Sequence, residues 1–347
     1  MNTSKIARFF ALAFLLAGMA SSCVKEGPMG PAGEDGTDGI DGKDGADGNV
    51  TCLNCHTTAK KEAITAQYEM SVHGLSPHAG SPTYIYAGAG ESRKDCAICH
   101  THEGFVEVMF TGRDSIAQAL AAPTRIGCET CHSKHVSFDF TADGQDYALR
   151  ATKPVNLIMD ERSIDFGSST NLCVNCHQPR EGAPKADANG NFYISSSRYG
   201  AHHGPQSTLL DGIGGYEVGT GYPGRGTHAH RKNADCTTCH MHQYKDQHGG
   251  HTFKVSVAGC TACHSSATSL DVKGVQTEVA ALMTELKGLL VAKGVITTTG
   301  SRKVGTFPIN VAGAAYNYNL IEEDRSMGVH NPVYIKKILQ NSIAAMK

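Results

Sequence analysis

CLNCH at Cys52 to His56 opens a series that recurs as CAICH at Cys96 to His100, CETCH at Cys128 to His132, CVNCH at Cys173 to His177, CTTCH at Cys236 to His240 and CTACH at Cys260 to His264. These six pentapeptides use twelve of the thirteen cysteines in the chain. Two thiols three positions apart can add to the two vinyl groups on one edge of a porphyrin, and the adjacent imidazole then reaches the iron, which is the attachment pattern of a c-type haem. The sequence therefore reads as carrying six covalently bound haem c groups. Their thioether residues are Cys52, Cys55, Cys96, Cys99, Cys128, Cys131, Cys173, Cys176, Cys236, Cys239, Cys260 and Cys263, and their proximal iron ligands are His56, His100, His132, His177, His240 and His264.

Zinc is the competing use of Cys and His, but it needs four ligands, usually as paired half-sites at regular separation. The first cysteines here lie 44, 32, 45, 63 and 24 residues apart, and a histidine abuts every pair.

The chain starts with Lys5 and Arg8 ahead of an apolar run from Phe9 to Ala20, too short to span a bilayer comfortably, so residues 1–22 read as an export signal. Ala20, Ser21 and Ser22 lead into Cys23 in the manner of a relaxed bacterial lipobox, which would make Cys23 the lipidated first residue of the mature chain. Cysteine parity agrees, because the six motifs leave Cys23 no disulfide partner. The expected location is exported and lipid-anchored at an outer membrane, on its periplasmic or cell-surface face.

Glycine occupies every third position from Gly27 to Gly48. That period is the steric requirement of a collagen triple helix, yet only Pro28 and Pro31 stiffen the run and aspartates recur within it. Residues 23–50 are expected to form a collagen-like acidic spacer, flexible or trimeric, and the trimeric form would make a homo-oligomer. A net charge of −2 gives no sign of nucleic-acid binding.

The chain lacks tryptophan and is only 7% aromatic, so the haems are expected to supply much of the core. The expected fold is mainly α with extensive irregular coil and few or no strands, organised around stacked haems. Residues 51–270 would form the haem domain and 271–347 a helical cap. Val275, Val279, Leu282, Leu286 and Leu289 mark one helix ending before Gly294. Asn331 and Pro332 read as the N-cap and first position of another, with Ile335, Ile338, Leu339, Ile343 and Met346 as its apolar stripe.

A low-spin haem needs a ligand on both faces of its iron. Twelve histidines remain after the proximal six, twice the demand, and bis-histidine ligation is the economical reading beside a methionine alternative. His330, immediately before the last helix, sits where a ligand would be rigidly presented.

The blocks SVHG around His73, CAICHTHEGF from Cys96, CETCHSKH ending at His135, HHGPQSTLLDGIGGYEVGTGYPG from His202, THAH from Thr227, CTTCHMH from Cys236, GGHTF ending at Phe253 and AAYNYNLIEEDRSMGVHNPVYIKKIL together resemble the large bacterial multihaem c-type cytochromes. The resemblance covers nearly all of residues 51–347. It implies distal ligands at His73, His135, His203, His228, His251 and His330, with His202 a rival to His203. His78, His102, His230, His242 and His248 are left as surface or supporting residues.

The leading function is electron transfer along the haems in envelope or extracellular respiration, with redox-partner cytochromes or extracellular acceptors as partners. The alternative is a multihaem reductase of nitrite, hydroxylamine or a sulfur oxyanion, for which no CxxCK motif is present. No catalytic residue is assigned.

Overall fold

The computed structural model describes residues 52–53, 56–74, 93–135 and 147–347. The expected leader, Cys23, the glycine-repeat spacer, Cys55 and His78 lie outside the described residues. The chain divides into two units, residues 1–54 and 55–347.

The larger, second unit is mostly helical with long irregular stretches and a few short strands, in agreement with the expected fold class. Helix α1, Thr58–Glu69, starts where the Thr57 hydroxyl accepts from Lys60 N at 3.3 Å. It buries no residue in full; instead Gln67 Oε1 accepts from His251 N at 3.0 Å and ties α1 to the turn Gly250–Thr252. A Cβ on Gly250 would collide with that Gln67 oxygen, so the contact needs glycine there. Helix α2, His102–Thr111, is capped by Thr101 at its start and by left-handed Gly112 at its end, and buries Phe105 and Val108 beside Ala97 and Ile98.

Two small antiparallel ribbons interrupt the coil. Strand β1, Val155–Asn156, pairs with β2, Ser163–Ile164, and β3, Asn191–Ile194, pairs with β4, Gly305–Pro308. The second ribbon joins the middle of the chain to the C-terminal helices.

Those helices hold the largest apolar cluster among the described residues. Helix α3, Val275–Ala292, buries Val279, Met283, Leu286 and Leu290 along one face. Helix α4, Ile309–Asp324, is buried on nearly every side from Ala312 to Ile321. Helix α5, Pro332–Met346, has Asn331 as N-cap, its side chain accepting from Tyr334 N at 3.2 Å, and buries the stripe read from the sequence. Each buried Leu or Ile contributes about 1.5–3 kcal/mol. This end of the molecule therefore carries a conventional side-chain core, a stronger one than a cap over haems requires.

Helix α4 was not legible from periodicity because it has no polar face. Its buried amides are all used: Asn317 Oδ1 accepts from Tyr216 N at 2.7 Å, and its Nδ2 donates to Tyr216 O at 2.8 Å and Ser342 Oγ at 3.0 Å. Asn319 Oδ1 accepts from Ala201 N at 2.8 Å, which tethers the segment containing His202 and His203 to α4. Gly200 permits this approach, since a Cβ there, at φ +153°, would overlap Asn319 Oδ1.

Candidate haem-binding centres

One helical turn places the histidine in the five attachment motifs from Cys96 onward. The amide of His100 donates to Cys96 O at 3.2 Å, that of His132 to Cys128 O at 2.9 Å, that of His177 to Cys173 O at 2.9 Å and that of His264 to Cys260 O at 2.8 Å. Such a bond, spanning four residues, brings the imidazole onto the face of the first thiol. In the motif at Cys236–His240 the turn is capped by Asp235, whose Oδ1 accepts from Thr238 N at 2.8 Å and from the Thr238 hydroxyl at 2.7 Å. Burial alone would raise the Asp235 carboxyl, but hydrogen bonds from Thr238, Ser168 and Thr237 outweigh it and hold the pKa at about 2.

Five of the motif histidines face a second imidazole across a nearly constant gap. Ring centres are 6.0 Å apart for His56 and His135, 6.0 Å for His177 and His73, 6.2 Å for His132 and His251, 6.1 Å for His264 and His230, and 6.4 Å for His240 and His330. Imidazoles in direct stacking contact would sit closer. An iron about 2 Å from one nitrogen of each ring would set the two centres about 6 Å apart. The spacing fits an iron held between two imidazoles.

The outer nitrogens support the same reading. His132 Nδ1 lies 2.8 Å from Tyr147 O, His240 Nδ1 2.9 Å from Phe253 O and His230 Nδ1 2.7 Å from Val329 O. A carbonyl can only accept, so each Nδ1 carries the proton and each Nε2 keeps its lone pair. His177 Nδ1 is 3.1 Å from Gln206 Oε1, and the Gln206 amide donates to Glu323 O at 3.1 Å. His330 Nδ1 is 2.6 Å from Asp324 Oδ1. Burial, with a smaller effect from His177, pushes His73 down to about 4, and burial lowers His177, His240 and His251. Neutral imidazole is the form that binds a metal.

Phe253 joins three of these pairs. Its ring lies 5.2 Å from His73 and 6.0 Å from His251, while its carbonyl orients His240. It does so at φ +55°, a costly conformation for an aromatic residue and one concentrated at functional sites. Sequence reasoning gives Phe253 no role, and likewise none to Gln206, Asp324 or the Val329 carbonyl; nothing in local spacing marks a residue that acts through another's outer nitrogen.

At THAH the structure departs from the expected residue. His230, not His228, faces His264, and His228 is the N-cap of the helix Ala229–Asn233. Its Nδ1 accepts from His230 N at 3.2 Å, which puts the proton of the neutral ring on Nε2, the nitrogen a ligand would need bare. His203 Nδ1 lies 2.6 Å from Glu323 Oε2, and its ring is 5.2 Å from that of His202, both residues at φ +57°. His102 Nδ1 contacts Thr130 Oγ1 at 2.9 Å, and His248 Nδ1 contacts Asp246 O at 2.7 Å on the surface. His242 uses its carbonyl to accept from Gly250 N at 2.9 Å.

Different attachment motifs also meet. Cys99 Sγ lies 3.9 Å from Asn175 O and Cys176 Sγ 3.7 Å from Ile98 O, and Thr237 N, next to Cys236, donates to Thr170 Oγ1 at 3.4 Å, three residues before Cys173. The motif at Cys173–His177 therefore adjoins those at Cys96–His100 and Cys236–His240. Beside Ser133 and Lys134 a cavity of about 390 Å³ is lined by Met109, Phe110 and Arg150, with Phe110 90% exposed, apolar surface of the kind a porphyrin face covers. Among the described residues no group of three or more His, Cys, Asp or Glu converges as a conventional metal site.

Comparison with known proteins agrees with this arrangement. The family model for outer membrane cytochromes of the MtrC/MtrF-like type, domains II/IV, matches residues 37–187. The C-type polyheme cytochrome OmcB of Geobacter sulfurreducens is 27% identical over 74% of this chain and 44% of its own length. The findings support a multihaem c-type cytochrome. The C-type polyheme cytochrome OmcC of the same organism is 27% identical over 50% of this chain and 29% of its own length. The crystal structure of the outer cell wall cytochrome OcwA aligns at a TM-score of 0.52 and 18% identity, over 82% of this chain and 50% of that one, a likeness of fold. The chain spans less than half the length of the curated relatives it matches. No described helix is long and apolar enough to cross a membrane.

Proposed function

We propose that this chain is an electron carrier with six covalently attached c-type haems, working in envelope or extracellular respiration. The observation that carries the reading is the set of five facing imidazole pairs at 6.0–6.4 Å, each containing one motif histidine. The attachment cysteines fix each porphyrin edge, and His56, His132, His177, His240 and His264 act with His135, His251, His73, His330 and His230 respectively. His230 thus takes the role expected of His228. With His230 standing in for His228, the expected distal set leaves His203, with His202 beside it, as the second ligand for His100. Haem iron supplies one-electron chemistry, and histidine on both faces favours low potential.

The protein's contribution is rigidity and proximity. Gln206, Phe253, Val329 and Asp324 hold imidazoles in fixed orientation, so little reorganisation accompanies a change of charge. Contacts of Cys99 with Asn175, of Cys176 with Ile98 and of Thr170 with Thr237 bring three attachment motifs together, and tunnelling rates fall exponentially with distance. Export, a lipid anchor at Cys23, a collagen-like spacer over residues 23–50 and partners among cytochromes or extracellular acceptors complete the proposal; kinship with outer membrane cytochromes supports the location.

Near-infrared magnetic circular dichroism of the oxidised protein tests it. Bis-histidine low-spin signals alone are expected. A high-spin haem that shifts on adding nitrite or hydroxylamine would replace the carrier by a reductase.

A further inference from the structure

The outer nitrogens of the ligand histidines do not all meet the same kind of acceptor. His132, His240 and His230 donate to neutral backbone carbonyls, and His177 meets a neutral side-chain amide. His330 meets a carboxylate, Asp324 Oδ1 at 2.6 Å. The Asp324 side chain is 0% exposed and that of His330 19%. Its second oxygen accepts from the Ser326 hydroxyl, and Ser326 Oγ accepts from His330 N at 3.3 Å, so the carboxylate is locked in place at the end of α4.

We infer that Asp324 is a positioning residue that makes the iron held between His240 and His330 harder to reduce than those whose ligand histidines meet only neutral acceptors. This rests on the bis-histidine ligation proposed for the chain. A full negative charge against Nδ1–H draws the proton outward and gives the ring imidazolate character, which raises the electron density that Nε2 offers to iron and stabilises the ferric state. Burial keeps water from screening the effect. Glu323 makes a similar contact with His203 at 2.6 Å, but the His203 side chain is 64% exposed, so solvent and salt weaken it.

The placement gives this tuning a consequence. Ser168 Oγ donates to Asp235 Oδ2 at 2.8 Å and Thr237 N to Thr170 Oγ1 at 3.4 Å, so the tuned centre lies beside the motif at Cys173–His177, inside the relay. A low-potential centre there is an uphill step that electrons cross only when a neighbour is already reduced. It slows transfer between its neighbours and leaves their equilibrium occupancy, which their own potentials set, unchanged.

The test is spectropotentiometric titration of the holoprotein and of Asp324→Asn, which keeps shape and hydrogen bonding but removes the charge. One midpoint potential should shift positive, with the other five unmoved and every haem still low-spin. All six midpoints unchanged in a fully haem-loaded variant would overturn the inference. If Asp324→Asn fails to fold, Ser326→Ala reads the same contact, because loss of the hydroxyl concentrates charge on His330 and should move that midpoint negative; no movement overturns it equally. His330→Ala separates the ligand assignment from the role of the carboxylate. One new high-spin haem is expected, and a spectrum that stays low-spin would refute the assignment of His330 and leave the effect of Asp324 without an iron to act on.

Discussion

His230 faces His264 with ring centres 6.1 Å apart and planes at 86°, while His228, two residues earlier, turns its ring back to cap the helix that carries His230. The difference is one of proton placement. His230 donates from Nδ1 to Val329 O, and His228 accepts at Nδ1 from a backbone amide.

Replacing these two histidines should therefore give opposite results. His230→Ala is expected to produce one high-spin ferric haem, seen in the charge-transfer region of the absorption spectrum. His228→Ala should leave all haems low-spin and cost a cap's worth of stability, about 0.5–2 kcal/mol, read as a lower melting temperature. A high-spin haem in the His228 variant with none in the His230 variant would reverse the assignment.

The angles between facing rings make a spectroscopic prediction. His73 with His177 and His230 with His264 stand at 87° and 86°, whereas His132 with His251 and His240 with His330 stand at 34° and 35°. Perpendicular imidazoles leave two iron d orbitals nearly degenerate and give highly anisotropic low-spin resonances; near-parallel ones split them and give ordinary rhombic spectra. Electron paramagnetic resonance of the oxidised protein should contain both classes. Rhombic signals alone would contradict the geometry.

Asp235 caps the turn that presents Cys236, Cys239 and His240, so Asp235→Ala should cost about 1 kcal/mol. The sign of its pH dependence follows from a folded pKa of about 2, below the unfolded carboxylate value of about 3.9. Its stabilisation is complete above the unfolded value and is lost as pH falls through the folded one. The melting-temperature gap between wild type and variant should be constant above about pH 4 and close towards pH 2. A gap that widens in acid would show that the cap is not the source.

The C-terminal cluster packs side chain on side chain and contains no attachment-motif residue. Leu286 is fully buried among α3, α4 and α5, and Leu286→Ala should destabilise by about 2–5 kcal/mol without changing haem content. Thermal denaturation followed by far-ultraviolet circular dichroism, with haem quantified in parallel, checks this. Loss of haem in step with helix would mean the two parts share one core.

The sequence was most legible where chemistry is local. A CxxCH turn carries its whole instruction in five residues, and the ends of α3 and α5 are written in Gly294, Asn331 and Pro332. The sequence could offer distal histidines only as a group and not as pairs, since His73 and His177 or His132 and His251 meet only through the tertiary fold. The choice of His230 over His228 rests on a capping bond invisible to spacing. Helix α4 was hidden for another reason: Ala312 to Ile321 is buried all round, so no apolar stripe stands out. Phe253 strained at φ +55° and Asp324 behind His330 were hidden because they act on a histidine's outer nitrogen or its packing rather than on iron.

The most direct test of the central claim is the intact mass of the purified mature protein, with haem counted after alkaline pyridine treatment. Six haems retained covalently under denaturing conditions, one for each pair of attachment cysteines, are expected. A mass equal to the bare polypeptide, or zinc found in place of iron, would contradict the account.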